Sequence, residues 1–146
     1  MKYDIAIIGA GTAGVFAAYE LSLLNPGLSI VVFEHGASIE KRSCPILSKK
    51  NRDCVGCKPC AIMSGFGGAG AFSDGKFNFI TQFGGWLTRY IPAEEVMDLI
   101  NYADSINVKF GATMEKYPSG PDLAQALEKR ALEFDLHLLH DQVKHL

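Results

Sequence analysis

The chain has 146 residues, 48% of them hydrophobic and 21% charged, with a formal net charge of −2. That length suits one domain with a real core, and the balanced charge gives no global electrostatic reason to expect nucleic acid as a partner. No run approaches about 18 apolar residues, so no membrane span is expected. Asp4 and Glu20 interrupt the apolar N-terminal region, which argues against a signal peptide and makes the cytoplasm the default location.

Ile5 to Ile8 predicts a buried strand, and Gly9-Ala10-Gly11-Thr12-Ala13-Gly14 follows it directly. A helix is expected next, with Ala13, Ala17, Leu21 and Leu24 on one face and a stop at Asn25-Pro26-Gly27. Ser29 to Phe33 then returns as a second strand, ending in Glu34. A G-x-G-x-x-G turn between strand and helix, with an acid at the end of the next strand, is the pattern of a dinucleotide site. Gly9 allows the tight turn, Gly11 close approach of the backbone to a pyrophosphate, and Gly14 close packing of helix on sheet. Glu34 suits ribose hydroxyls and would repel a 2′-phosphate, so NAD and FAD are both compatible and NADP is disfavoured.

Residues 35–90 are rich in Gly, Cys and basic residues, with little periodicity. Cys44, Cys54, Cys57 and Cys60 give the spacing C-x9-C-x2-C-x2-C. With no export signal, such close spacing points to metal or redox use rather than structural disulfides. Four thiolates suit an iron–sulfur cluster or zinc, and a dithiol–disulfide exchange is a third option. Lys41, Arg42, Lys49, Lys50, Arg52 and Lys58 surround the cysteines and favour thiolates. A second glycine loop follows, running from Ser64 to Lys76, whose backbone amides, Ser73 and Lys76 suit an anion or a flat ligand.

Pro92 to Ile106 predicts a helix with Val96, Leu99, Ile100, Ala103 and Ile106 on one apolar face. Ser119-Gly120 precedes a second, from Pro121 to Phe134, expected to bury Leu123, Leu127, Ala131 and Phe134. Leu136 to Leu139 is expected to begin a third strand. His35, His137, His140 and His145 are scattered and read as solvated or strand-end residues, and Tyr90, Tyr102 and Tyr117 as packing residues.

Four features together resemble the uncharacterised bacterial FAD-dependent dehydrogenases, of the two-dinucleotide-binding-domain flavoprotein class. They are the N-terminal fingerprint, Arg42-x-Cys44-Pro45, the C-x2-C-x2-C run and the segment from Gly67 to Lys76. The resemblance implies an FAD-dependent oxidoreductase with a Rossmann-like parallel sheet, helices and a cysteine- and glycine-rich insertion. Gly9, Gly11, Thr12, Ala13 and Gly14 would hold the FAD pyrophosphate, Glu34 its ribose, and Arg42 would lie along the cofactor. Gly67, Gly68, Ala69, Gly70 and Ser73 would pass near the flavin or its pyrophosphate. A small-molecule substrate or electron donor or acceptor is implied, with NAD(P)H as co-substrate, and no catalytic acid or base. The organisation expected is a β-α-β unit over 1–34, the Cys/Gly-rich segment over 35–90 and a helical segment with the start of a strand over 91–146. The chain has no Gly-Asp dipeptide of the kind such flavoproteins use late in the FAD site. It is therefore expected to be an N-terminal portion, with the substrate domain outside it. The alternative reading is a metal-binding (iron–sulfur or zinc) or electron-transfer module built on Cys44, Cys54, Cys57 and Cys60.

Overall fold

The computed structural model describes residues 1–48, 50, 52–82, 84–117, 121–139 and 141–146, and the chain divides into two units, Met1–Ser73 and Asp74–Leu146. In the first, strand β1 (Ile5–Ile8) pairs in parallel with β2 (Ile30–Phe33), in a register running from Ile5 opposite Ile30 to Ile8 opposite Phe33. Parallel neighbours need a crossover, and helix α1 (Thr12–Leu24) supplies it. The helix ends where the Asn25 amide donates to the Leu21 carbonyl at 3.0 Å, and the Asn25 side chain accepts from Gly27 to shape the turn.

Helix α1 is rotated from the expected orientation. Gly14, Ala18 and Leu21 are half-buried, whereas Ala13, Ala17 and Leu24 are exposed. The cause is Gly14, where a methyl group would overlap the Gly9 carbonyl oxygen and lie 3.3 Å from Ile7 Cγ2. The helix packs against β1 at that residue, and the i, i+4, i+7 stripe through it is half-buried. On β1 and β2, Ala6, Ile8 and Phe33 are exposed, Ile8 at 81%.

In the second unit, β3 (Lys76–Asn78) pairs antiparallel with β4 (Val143–His145), Lys76 standing opposite His145. A bridge between Tyr117 and Val143 extends the pairing. Helix α2 (Ala93–Lys109) carries Glu94 and Glu95 in its first turn and Lys109 in its last, matching the helix dipole. It buries Val96 and Ile106, with Ile100 and Ala103 half-buried and Leu99 turned outward. Helix α3 (Pro121–Leu132) does not bury its expected stripe: Leu123, Leu127 and Phe134 are exposed and Ala131 is half-buried. The expected Ser119-Gly120 boundary lies outside the described residues.

These strands overturn the Rossmann-like parallel sheet. The described strands form two separate two-stranded sheets, one parallel and one antiparallel. The expected strand at Leu136–Leu139 is irregular chain with exposed leucines, following Asp135 at φ 56°. Pairing starts later because acceptors for β3 come from farther along. The Phe79 amide donates to the Gln142 carbonyl at 2.8 Å, and Tyr117 and Val143 exchange both backbone bonds. Among the described residues, no helix is long and apolar enough to cross a membrane.

Candidate functional site

The first glycine turn is tied to β2 at its start and open at its end. Gly9, at φ 96°, donates its amide to the Phe33 carbonyl at 2.7 Å, and Ala10 is buried. The first intrahelical bond of α1 runs from the Val15 amide to the Gly11 carbonyl at 3.0 Å. The amides of Thr12, Ala13 and Gly14 precede it, as first-turn amides do in any α-helix. Gly11 caps the helix without a side-chain hydrogen bond, and the first turn holds no acid.

The second glycine loop lies against this turn. Gly67 donates to the Ala10 carbonyl at 2.8 Å, and a methyl on Gly68 would come within 3.1 Å of Gly11 Cα. A methyl on Gly70 would stand 3.8 Å from the Thr12 hydroxyl. Gly68–Phe72 forms a 3-10 turn, entered through Gly67 at φ 84° and closed by Ser73, whose hydroxyl donates to the Gly70 carbonyl at 3.1 Å. The structure thus brings Gly11 and Thr12 together with Gly68 and Gly70, and Gly67 with Ala10, with Ala69 exposed in the turn.

Glu34 and Arg42 are directed into the protein itself. Glu34 Oε1 accepts from the amides of Gly36 at 2.8 Å and Gly65 at 2.9 Å, and Oε2 accepts from Ala10 at 2.7 Å. The Gly36 amide above all, then that of Ala10, holds this carboxyl below the usual range, and partial burial opposes them. The carboxylate that the resemblance assigns to a ribose is occupied by three backbone donors. Arg42, 7% exposed, donates Nε to the Ala61 carbonyl at 2.8 Å, Nη1 to Phe66 at 2.8 Å and Nη2 to Ile62 at 2.6 Å. Its guanidinium stacks 4.5 Å above the Phe72 ring. Sequence reasoning missed Gly36 and held Gly65 only as part of the Ser64–Lys76 loop, whose amides it assigned to a ligand anion rather than to Glu34. A methyl on Gly36 would overlap the Gly65 amide, and the one local signal was a glycine two residues after the strand-end acid.

Cys44, Cys54, Cys57 and Cys60 are free thiols around one apolar cavity of about 60 Å³, lined also by Pro45, Ile46, Val55, Ala61 and Ile62. Cys44 and Cys60 are half-buried, Cys54 and Cys57 exposed. Among the described residues, no group of three His, Cys, Asp or Glu is placed to hold a metal ion. This overturns the iron–sulfur and zinc expectations for the four cysteines, which wall an apolar space instead of converging on a point. Cys60 opens a turn in which Ser64 donates to its carbonyl at 2.8 Å. The amides of Met63 and Ile62, and then the Arg42 charge, hold its thiol below the ordinary range against partial burial. Lys41, Lys50, Arg52 and Lys58 are exposed, and Lys49 lies outside the described residues.

Comparison with known proteins adds one partial relative. An uncharacterized protein from Clostridium beijerinckii is 40% identical over 76 residues, a match covering 52% of this chain and 14% of that relative. No protein-family model matches the chain, and no solved structure matches it.

The FAD-dependent oxidoreductase reading is corrected by the sheet. In doubly wound folds a dinucleotide lies in a crevice between neighbouring parallel strands at a switch point. Here β1 and β2 are the whole described parallel sheet. FAD as cofactor, NAD(P)H as co-substrate and dehydrogenase activity lose their structural basis, as does the metal or electron-transfer alternative.

The second unit holds a feature that the sequence did not signal. Lys144, fully buried on β4, pairs through Nζ with the Asp104 carboxylate of α2 and donates to the Thr113 carbonyl at 2.9 Å. Lys116 Nζ stands 3.6 Å from the centre of the Phe79 ring on the same unit. A cavity of about 200 Å³ lies among Ile80, Thr81, Leu87, Thr88, Val96 and Ile100. His137 and His145 are exposed, as expected, and His140 lies outside the described residues.

Proposed function

We propose that Met1–Ser73 is a binding module for a small phosphorylated anion, seated at the turn from Gly9 to Gly14. One observation carries this reading: the first-turn amides of Thr12, Ala13 and Gly14 have neither a side-chain cap nor a nearby acid on their own helix. Such amides, at the positive end of a 13-residue helix, favour a phosphate group. Gly68 and Gly70, packed against Gly11 and Thr12, supply a rim without side chains. The Glu34 charge is taken up by three amides at the loop junction.

The test is titration of the full chain with inorganic phosphate and pyrophosphate, followed by backbone amide NMR. Shifts are expected at Thr12, Ala13, Gly14 and Gly68. Ala13→Glu places a competing carboxylate in the first turn, where it should stabilise α1 by about 0.3–1 kcal/mol. The same change should weaken phosphate binding at least about tenfold, the factor expected from about 1.4 kcal/mol of lost binding energy. Stability and affinity then move in opposite directions, which fold damage cannot produce. Unchanged affinity in Ala13→Glu, or shifts confined to the basic residues between Lys41 and Lys58, would overturn the reading.

A further inference from the structure

Cys57-Lys58-Pro59-Cys60 places two thiols three residues apart on a segment bent at Lys58 and Pro59. Both thiols border the same apolar cavity of about 60 Å³, with Cys57 exposed and Cys60 half-buried. Cys60 stands at the start of its own turn, and that turn is fixed from outside. Arg42 donates to the carbonyls of Ala61 and Ile62, the two residues after Cys60, and to Phe66 beyond them. The clamp fixes the backbone that follows Cys60 and keeps the guanidinium one residue away from it, and the amides of Met63 and Ile62, then the Arg42 charge, lower its thiol pKa. Lys58 adds an exposed cation between the two cysteines. A half-buried thiol on a fixed turn next to positive charge is the environment of a reactive thiol. A second, exposed thiol close by in sequence is the arrangement that resolves a mixed disulfide.

We propose that Cys60 is a site of reversible S-thiolation by a low-molecular-weight disulfide, with Cys57 as the resolving thiol. The Cys60 thiolate attacks one sulfur of the small disulfide, RSSR. A Cys60–S–R bond forms, the S–S bond breaks, and one RS⁻ leaves to take up a proton. The Cys57 thiolate then attacks Cys60 Sγ, forming a Cys57–Cys60 disulfide and expelling the second RS⁻. The protein dithiol loses two electrons and two protons, and RSSR is reduced to two RSH. The cavity, roughly twice the volume share of one water molecule, has room for the methylene-sulfur end of such a reagent. Ile46 and Ile62 supply apolar contact for that methylene. The proposal is independent of anion binding at Gly9–Gly14.

The full reduced chain, with oxidised glutathione as probe, tests this by non-reducing peptide mass spectrometry over time. Wild type should end with a Cys57–Cys60 disulfide, and Cys57→Ser should stop with one glutathione on Cys60. In Cys57→Ser, Cys60 should be modified at least about tenfold faster than Cys44 or Cys54, in line with thiolate-controlled selectivity. Cys60→Ser should lose this fast phase. Circular dichroism matching wild type would show that each serine variant has kept its fold, and unfolded wild type should lose the preference for Cys60. Equal modification of all four thiols in the folded chain, or a wild-type product joining Cys54 to Cys57, would overturn the proposal.

Discussion

The two units settle their ionic side chains in different ways. In Met1–Ser73 the Glu34 carboxylate takes three backbone amides, and Arg42 gives to three backbone carbonyls. In Asp74–Leu146 the buried Lys144 is met by a side-chain carboxylate, Asp104, and one carbonyl. An ion satisfied by peptide groups fixes the path of the main chain, which irregular segments such as Gly36, Ser64–Phe66 and Ala61–Ile62 need. An ion paired with an ion fixes elements against each other, here β4 against α2 and the Thr113 segment. The first unit therefore depends on charge to shape its loops, and the second to hold its packing.

The strongest way to break that contrast is in the second unit. Lys144→Ala leaves Asp104 without its cation in a largely enclosed position, and should cost about 3–5 kcal/mol. Denaturant unfolding, read by hydrogen exchange of amides in residues 74–146, measures it. The paired change Lys144→Met with Asp104→Leu removes both charges and should recover most of the loss, because apolar groups of similar volume replace a buried pair at little cost. A loss under about 1 kcal/mol for Lys144→Ala, the range of exposed pairs, would show that the ion pair does not hold β4.

The first glycine turn offers a sharper, smaller test within a single motif. Gly14→Ala puts a methyl into the Gly9 carbonyl and should cost about 1–3 kcal/mol or more, as overpacking does. At Gly11 a methyl meets nothing within 4 Å, and φ is −73°. Gly11→Ala should therefore change stability by less than about 0.5 kcal/mol, because the entropy gain in the unfolded chain is offset by alanine's poorer fit at the N-cap. Thermal melts of the two variants decide the matter. Equal destabilisation would mean that the turn is uniformly strained, against the geometry that gives Gly14 alone a structural contact with β1.

Local patterns carried the sequence reading a long way. The apolar run at Ile5–Ile8, the glycine turn and the Asn25-Pro26-Gly27 stop located β1, α1 and β2 within a residue or two, because each signal is complete within a few positions. The burial of α1 was misjudged since its rotation is set by one contact, Gly14 on Gly9, rather than by the average apolarity of its faces. The pairing of β3 with β4 joins residues more than sixty positions apart, and no local pattern announces such a partner. At the candidate site, Glu34 and Arg42 were legible as unusual residues, but their targets were not. A carboxylate after a glycine turn looks the same in sequence whether it meets ribose hydroxyls or the amides of Ala10, Gly36 and Gly65.

The finest test of the contrast is the pH response of Glu34. Its pKa in the folded chain is lowered, mainly by the Gly36 and Ala10 amides, so the unfolded chain binds more protons than the folded one in the window between the two values. The stabilisation is complete above the unfolded carboxyl value of about 4.3 and is lost as pH falls through the folded value. Glu40 is also lowered, by its own backbone amide and the Ser38 hydroxyl, so the acid response of wild type alone mixes both groups. The difference between wild type and Glu34→Gln isolates one of them. Glutamine keeps the shape but turns an NH2 toward a backbone donor, so the variant should melt lower at neutral pH. The gap should narrow steadily below about pH 4.3, because protonated Glu34 also loses an acceptor. A gap that stays constant down to acid unfolding would mean that the charge contributes nothing, and that Glu34 holds the two glycine loops by shape alone.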